Sequence, residues 1–229
     1  MKVSIVIPAY NEEKNIANAI EAALAQDHSD YEIILLNNVS TDRTAEIASR
    51  YPIKLVHEPI KGLLSARERG RLTASGDIIA NMDADCLPDT DWLSKGVEHF
   101  SNLNVVAASG PYDFHDGHPI FRRFMLSSQG SIYYLMSKFL QSGLIKKGAV
   151  IIGGNNLIRA DVLEKAGGYT TSLEFWGEDT NTAMKISKHG RVVFDPKFSI
   201  KTSARRFKAE GTVHLILKYF YHFFKQLLK

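Results

Sequence analysis

Four short apolar runs predict strands in the first part of the chain. They read VSIVIP at 3–8, YEIILLN at 31–37, IKLVH at 53–57 and DIIANM at 77–82. The segments between them have helical apolar spacing, and Asn11 predicts a helix N-cap followed by Glu12 and Glu13 in the first turn. Strands that alternate with helices in this way predict an α/β fold with an open, mostly parallel twisted sheet flanked by helices.

The second part of the chain has a less regular pattern. It predicts a helix that Thr90 or Asp91 caps and that runs to Phe100, a strand VVAASG at 105–110, and a long aromatic-rich helix from Pro119 to Gln141. The stretch GAVIIGGNNLIRADVLEKAGGY predicts a strand, a glycine-rich turn and a helix that starts near Ala160 or Asp161. No linker-like stretch interrupts this pattern, so we expect one domain over 1–211 and a C-terminal amphipathic helix over 212–229.

Composition supports a single core in a reducing compartment. The chain has 229 residues, of which 45% are hydrophobic, and it has one cysteine, Cys86. One cysteine excludes an internal disulfide framework and a cysteine-built zinc site, so we expect a cytoplasmic protein in which Cys86 is structural. The start of the chain has too short an apolar run for a secretory signal, and no apolar segment reaches the roughly 18 residues of a membrane span.

Three predicted strand ends carry polar loops. The segments are Pro8–Tyr10, Asn37–Thr41 and Asp83–Asp85. In open parallel sheets ligands bind beyond the carboxyl ends of the strands, so we expect these loops to converge on one cleft.

The stretch NMDADCLPD places Asp83 and Asp85 one residue apart at the end of an apolar run. Hard carboxylate oxygens suit Mg²⁺ or Mn²⁺, and magnesium-type sites use one or two carboxylates together with substrate phosphates. The alternative is that both acids cap the turn and helix that follow.

A second acidic site, FWGEDT, lies near the predicted start of another helix. Glu178 and Asp179 follow Phe175, Trp176 and Gly177. A carboxylate that is partly desolvated beside Trp176 can act as a general base toward an attacking hydroxyl. The alternative is that the two acids only interact with the positive end of the helix dipole.

The order of these motifs resembles the family 2 glycosyltransferases, which use nucleotide sugars and have the so-called GT-A fold. The resemblance covers nearly the whole chain. The matching motifs are VSIVIPAYNEEKNI, NNVSTDRT, SARERGRLTASGDIIANMDAD, GGNNLIRADVLEKAGGY and GEDTNTAMKISKHG.

The resemblance implies a role for each matching residue. Residues 1–89 would form the donor-binding part, and 90–211 the part that binds the acceptor and carries the base. The nucleotide contacts would come from Pro8, Ala9, Tyr10, Glu12, Asn37, Asn38, Arg67 and Ala84, with Tyr10 against the base. Asp85 would bind the metal ion and Asp83 the ribose or the metal. Asp179 would be the catalytic base and Glu178 its neighbour near the acceptor.

Two further segments are implied to reach the substrates. The backbone of Gly153, Gly154, Asn155 and Asn156 would approach the donor sugar or the acceptor, unless these residues form a plain strand-to-helix turn. Arg205 and Arg206 would reach the diphosphate from a mobile segment, unless they lie in a solvated basic loop. This segment lacks the Gln-X-X-Arg-Trp pattern of the processive polysaccharide synthases in the family, which disfavours a polymerase.

The resemblance therefore implies an inverting transferase with a UDP-sugar or a GDP-sugar as donor and Mn²⁺ or Mg²⁺ as metal. The acceptor would be a saccharide or a lipid-linked molecule, with no nucleic-acid partner. Asn37 departs from the pattern, because the family usually has aspartate there. This departure leaves open a nucleotide-sugar-binding homologue without transfer activity. A nicotinamide-dependent dehydrogenase is set aside, because the first turn reads PAYNEE and not G-x-G-x-x-G.

The tail from residue 212 to 229 combines basic and aromatic residues. His214, Lys218, His222, Lys225 and Lys229 fall along one side of a helix, and the rest of its surface is largely apolar. Such a helix can lie in a membrane interface, here the inner face of the membrane, which suits a lipid-linked acceptor. Alternatively it packs on its own domain or on a second subunit in a homodimer.

Overall fold

The computed structural model describes residues 1–142, 148–173 and 176–227; of the segments named above, Phe175 and residues 228 and 229 lie outside them. The strands are β1 Val3–Ala9, β2 Tyr31–Asn37, β3 Lys54–His57, β4 Ile78–Met82, β5 Val105–Ser109, β6 Tyr112–Phe114, β7 Asn155–Arg159, β8 Arg191–Phe194 and β9 Ile200–Thr202. The helices are α1 Ile16–Leu24, α2 Thr44–Ala48, α3 Leu63–Thr73, α4 Trp92–Glu98, α5 Pro119–Leu140, α6 Ala160–Lys165, α7 Glu178–Ile186, α8 Arg205–Glu210 and α9 Thr212–Leu227.

The main sheet has the strand order β3-β2-β1-β4-β7-β5-β8. β1 pairs in parallel with β2 and β4, while β7 runs antiparallel between β4 and β5. A small parallel pair, β6 and β9, lies outside this sheet. The expected mostly parallel α/β sheet is confirmed.

Alternate residues of the central strands enter two separate cores. Ile5 and Ile7 of β1 pack with α1 and α4 on one face, whereas Val6 packs with α3, α6 and α7 on the other. A strand that is covered on both faces must be apolar at every position, which explains the continuous run at 3–8.

Two local predictions were wrong. Asn11 is not an N-cap, because its φ is 54° and α1 begins at Ile16. The Asn11 side-chain oxygen instead accepts the Thr41 N–H at 2.8 Å and so ties two loops together. The second error concerns the stretch before the glycine-rich turn: residues 148–151 form no strand, and the strand of this motif is β7, after the turn.

The C-terminal helix packs on its own domain through one side. Leu215 is fully buried, and Phe223 and Leu227 pack against a cluster that includes Leu140 at the end of α5. Other apolar side chains of α9 remain exposed, among them Leu217 at 64%. Among the described helices, none is long and apolar enough to cross a membrane.

Candidate active site

A cleft of about 510 Å³ opens at the carboxyl ends of β1 and β4. The predicted site residues that line it are Pro8, Ala9, Tyr10, Glu12, Asn38, Arg67, Asp83, Ala84, Asp85, Glu178, Asp179, Arg205 and Arg206. The structure therefore brings together the strand-end loops and the acids of α7, as the sheet topology predicts.

Arg67 of α3 joins the two acidic motifs. Its side chain is only 4% exposed, and its Nη2 donates to Asp83 Oδ1 at 3.1 Å. Its Nη1 lies 3.6 Å from Asp179 Oδ1. One buried guanidinium thus holds the end of β4 and the start of α7 on the same side of the cleft.

Close backbone approach completes this arrangement. A Cβ atom on Gly153 would lie 2.5 Å from Asp179 Oδ1, and one on Gly154 would lie 2.3 Å from Asp83 Cγ. The Gly153 N–H donates to Asp179 Oδ2 at 3.0 Å. Both glycines are therefore required by the acids that pack on them, since any larger residue would displace an acid.

Tyr112 is a site residue that the sequence analysis missed. Its hydroxyl donates to Asp83 Oδ2 at 2.8 Å and accepts the Gly154 N–H at 2.9 Å. Burial is the largest of several effects that raise the pKa of Tyr112 well above its usual value, so the hydroxyl keeps its proton. A signal was present, because Tyr112 follows β5, which runs parallel to β4 and ends at the same sheet edge.

Glu178 and Asp179, the adjacent acids at the start of α7, both lie where burial removes them from water. Burial, and then the charge of Asp179, raise the pKa of Glu178 to about 9. Burial also raises the pKa of Asp179, although Arg67 and the Gly153 N–H favour its charged form. A third of the Asp179 side chain is exposed to the cleft, whereas Glu178 is buried. Both carboxyls are therefore harder to ionise than ordinary acids, and the contacts that favour the charged form of Asp179 come from Arg67 and the Gly153 N–H.

Asp85 lies against a cation from α8. Arg205 Nε is 3.2 Å from Asp85 Oδ2, and the same guanidinium pairs with Glu12 through both of its terminal nitrogens. Burial, and then the charge of Asp83, raise the pKa of Asp85 to about 6. The basic segment is thus a short helix with specific ion pairs, and Arg205 does not lie in a solvated loop.

Two aromatic contacts border the cleft. Tyr10 is 44% exposed, and Lys61 donates to its hydroxyl at 3.0 Å. Arg206 donates to the Tyr219 hydroxyl at 3.1 Å and lies over the Trp176 ring. Tyr10 is therefore partly exposed at the cleft, with the Lys61 ammonium 4.3 Å from the centre of its ring.

Two residues that were predicted to contact a substrate have side chains that bind the protein itself. Among the described residues, Asn37, Gly154 and Asn155 do not line the cleft. Asn37 donates to His57 Nδ1 at 3.1 Å, and Asn155 is fully buried with its amide bonded to the Phe198 and Pro111 carbonyls and to the Trp92 indole. Asn155 is therefore corrected to a structural residue, because burial leaves its amide no access to a substrate.

Asn38 shapes the loop beside the cleft. It donates to the carbonyls of Glu58 and Ile60 and accepts the Gly62 N–H at 2.8 Å. Cys86 is fully buried, as expected of a structural thiol, and burial raises its pKa. Neither residue presents reactive chemistry to the cleft.

The model of the family "Glycosyl transferase family 2" matches residues 4–167 of this chain. The chain belongs to the family 2 glycosyltransferases. Two curated relatives align over about half of it. Glycosyltransferase AglE of Haloferax volcanii is 35% identical over 120 residues, which is 49% of this chain and 40% of AglE. Dolichol-phosphate mannosyltransferase of Pyrococcus furiosus is 38% identical over 120 residues, which is 49% of this chain and 34% of that protein.

Solved glycosyltransferases share the fold. Mannosyltransferase PcManGT of Pyrobaculum calidifontis, in complex with GDP-Man and Mn²⁺, superposes with a TM-score of 0.70 at 23% identity, covering 95% of this chain and 62% of that one. S. aureus TarS 1–349 in complex with UDP-GlcNAc superposes with a TM-score of 0.69 at 19% identity, covering 90% and 59%. The expected GT-A-like architecture is confirmed, in a chain that spans less than two thirds of these proteins.

A metal ion in this glycosyltransferase site would need ligands from its substrate. Within the described residues, no cluster of three or more His, Cys, Asp or Glu side chains could hold a metal ion. Asp83 and Asp85 supply two carboxylates, and Arg205 already places a positive charge against Asp85. These residues fit an ion that binds through one or two carboxylates and the donor diphosphate.

Proposed function

We propose that this chain is an inverting glycosyltransferase that moves a sugar from a nucleotide-diphospho-sugar to an acceptor hydroxyl. Asp83 and Asp85 would hold Mn²⁺ or Mg²⁺, and Asp179 would act as the general base. The observation that carries this proposal is the bridge made by Arg67, which brings the Asp-X-Asp motif and Asp179 into one cleft. An isolated capping role for either motif does not account for that bridge.

Asp179 has the features of a base for a hydroxyl. Burial raises its pKa, so its affinity for a proton is closer to the neutral range than that of an ordinary aspartate. Its exposed third faces the cleft, whereas the Glu178 side chain next to it is buried and less accessible to an acceptor. Asp179 would take the proton from the acceptor hydroxyl as the hydroxyl oxygen attacks the anomeric carbon.

The displacement needs no covalent intermediate on the protein. The new bond forms on the face of the sugar opposite the bond to the diphosphate, which breaks and releases the nucleoside diphosphate. One such displacement inverts the anomeric configuration. The metal ion, when bound, supplies positive charge that stabilises the departing diphosphate.

Donor binding would use the other end of the cleft. Tyr10 would stack on the base through its partly exposed ring, and Arg205 and Arg206, which line the cleft, would contact the diphosphate. PcManGT was solved with GDP-Man and TarS with UDP-GlcNAc, so both nucleotides belong among the candidate donors. Asn37 pairs with His57 and does not line the cleft, so this residue favours neither uracil nor guanine as the nucleobase of the donor.

Donor turnover with Mn²⁺ tests the proposal. UDP- and GDP-sugars would be incubated with the chain and a panel of sugar acceptors, and release of the nucleoside diphosphate measured. We expect Asp179→Asn to lower the turnover rate by about 10²–10⁴-fold, the usual contribution of a general base, without abolishing donor binding in a thermal-shift assay. Asp161→Asn, an exposed aspartate on α6, is the matched control and should retain turnover within about twofold.

The second candidate is a homologue that binds nucleotide sugars without transfer. The position of Asn37, with its amide turned to His57, is the observation that favours it. Donor binding without turnover by the unmodified chain across the panel would support this candidate. Turnover that Asp179→Asn leaves unchanged would instead refute Asp179 as the base.

A further inference from the structure

The cleft that holds Asp179 is also walled by two helices that lie outside the sheet. α5 lines it with Met125, Tyr133 and Met136, and α9 lines it with Ile216, Phe220 and Phe223. Within each helix these positions fall on one face at helical spacing. Tyr219 and His222 of α9 also line the cleft, so each helix contributes a largely, but not wholly, apolar face to it.

This apolar wall does not match the chemistry of a nucleotide-sugar donor. A donor has a base, a ribose, a diphosphate and a sugar, and the polar groups suited to those parts lie around Tyr10, Asp85 and Arg205. When an apolar ligand covers such a wall, the complex is stabilised by about 25 cal/mol for each Å² of apolar surface removed from water. The α5 and α9 side of the cleft is therefore suited to a ligand with an apolar part.

One polar group interrupts the α5 wall. Gln129 lies one turn after Met125, lines the cleft and is 7% exposed. Its Oε1 accepts the Tyr112 N–H at 3.2 Å, while its Nε2 has no hydrogen-bond partner among the described residues. A buried donor without a partner costs free energy, which an oxygen atom of a ligand would recover.

We propose that the acceptor is an amphiphile, with a hydroxyl-bearing head beside Asp179 and an apolar chain between α5 and α9. This inference rests on the proposed function, because it assigns the acceptor of the same reaction. Met136, Phe220 and their neighbours hold the apolar chain of the acceptor, and the head group of the acceptor accepts a hydrogen bond from Gln129. A free sugar would fill only the polar end of the site.

A chain-length series of defined probes tests this assignment. n-Alkyl β-glucosides with six to ten carbons, glucose itself, and a parallel n-alkyl phosphate series would be titrated below their micelle-forming concentrations in the presence of UDP and Mn²⁺. Of the two tryptophans in the chain, Trp176 lines the cleft and Trp92 is 1% exposed in the core, so a fluorescence change reports on the cleft. We expect affinity to rise about fourfold for each added methylene, as for burial of the chain.

Neighbouring residues on α5 provide a matched pair of variants. Met136→Gln changes the cleft wall, whereas Leu135→Gln makes the same kind of change at a side chain that is 64% exposed on the outer face. We expect Met136→Gln to weaken binding of decyl glucoside about tenfold and Leu135→Gln to leave it within about twofold. Met136→Leu preserves the apolar wall and should bind nearly as the unmodified chain does.

The binding results separate the amphiphilic acceptor from the proposed glycosyl transfer. Binding that does not depend on chain length, or that Leu135→Gln weakens as much as Met136→Gln, would overturn the amphiphilic acceptor. Binding of UDP with Mn²⁺ without binding of any alkyl probe would overturn the acceptor assignment and leave the proposed function standing. Failure to bind UDP or GDP at all would remove both. If Met136→Gln does not fold, the chain-length series on the unmodified chain still decides the question.

Discussion

At the scale of single residues, Arg67 determines whether the two acidic motifs can coexist. Asp83 and Asp179 both face its guanidinium, and the side chain is almost fully buried. Without that charge the two acids would be held near one another in a desolvated place with no compensating cation. A buried pair of this kind is costly to break, because removing one partner leaves the other charge uncompensated.

We therefore predict that Arg67→Met lowers the free energy of unfolding by about 3–5 kcal/mol. Arg69→Met on the exposed side of the same helix should change it by no more than about 0.5 kcal/mol. Urea denaturation followed by circular dichroism measures both. Equal effects of the two substitutions would show that the Arg67 bridge contributes nothing beyond a generic helix position.

Glu178 gives a prediction about pH. Its pKa is about 9 in the folded protein against a reference value of 4.5, so between these values the folded state keeps a proton that the unfolded state has lost. Stability must then fall as pH rises through that window. Glu178→Gln remains neutral, so we expect its stability relative to the unmodified chain to grow between pH 5 and pH 8, by more than about 1 kcal/mol.

The control for this prediction is Glu164→Gln, an exposed glutamate on α6. Thermal unfolding of the three proteins at a series of pH values is the measurement. A constant difference between Glu178→Gln and the unmodified chain at every pH would show that Glu178 is not held protonated by the fold.

At the scale of elements, the sequence predicts a strand or helix well where the residues of that element alone determine it. β1, β2 and β4 carry their own signal, because burial on both faces requires a continuous apolar run. β7 was misplaced to the other side of its glycine-rich turn, since its strand is defined by antiparallel pairing with β4 and β5 and not by its own pattern. Pairing between distant segments leaves little trace in periodicity.

The candidate site follows the same rule. Asp83, Asp85 and Asp179 were predictable, because each lies in a short motif at a strand end or a helix start. Tyr112 follows β5 at the same sheet edge, but no motif marks it, and its contact with Asp83 depends on the packing of the small β6 and β9 pair beside the main sheet. The burial of Asn155 could not be predicted either, because nothing in its motif distinguishes a buried amide from one that faces a substrate.

α8 holds a cation against one of the two proposed metal ligands. Arg205 is a positive charge against Asp85 and Glu12, where a divalent ion would compete with it. We predict that Arg205→Gln increases the affinity of the nucleotide-free chain for Mn²⁺ about tenfold, since a hydrogen bond to a charged group is worth about 1.5–3 kcal/mol. Electron paramagnetic resonance of free Mn²⁺ measures this directly.

Lys208→Gln is the control on the same helix, because Lys208 pairs with Asp116 and not with Asp85. It should leave Mn²⁺ affinity unchanged. If Arg205→Gln also leaves it unchanged, Asp85 is not a metal ligand in the free chain, and the ion would have to arrive with the donor.

At the scale of the whole molecule, the sheet supplies the edge of the cleft that carries the acids, and α5 and α9 add an apolar side to it. Both helices have a face toward the cleft and a second face with exposed apolar residues, among them Phe124 and Leu135 on α5 and Leu217 on α9. These exposed apolar faces offer a surface to which a partner or a lipid interface can bind. The proposed amphiphilic acceptor connects the two faces, because its chain would come from a lipid surface.

Contact between α9 and lipid is therefore the last prediction. Leu217 on α9 and Leu72 on α3 are each 64% exposed, so their replacement by serine removes equal apolar surface from different places. We expect Leu217→Ser to reduce sedimentation with anionic vesicles about fivefold to tenfold, because the apolar face and the basic residues of α9 bind the interface together. Leu72→Ser should sediment as the unmodified chain does. These point variants are preferable to removal of the helix, since Leu215 is fully buried and truncation would open the core. Equal sedimentation of all three proteins would restrict α9 to its role as a wall of the cleft.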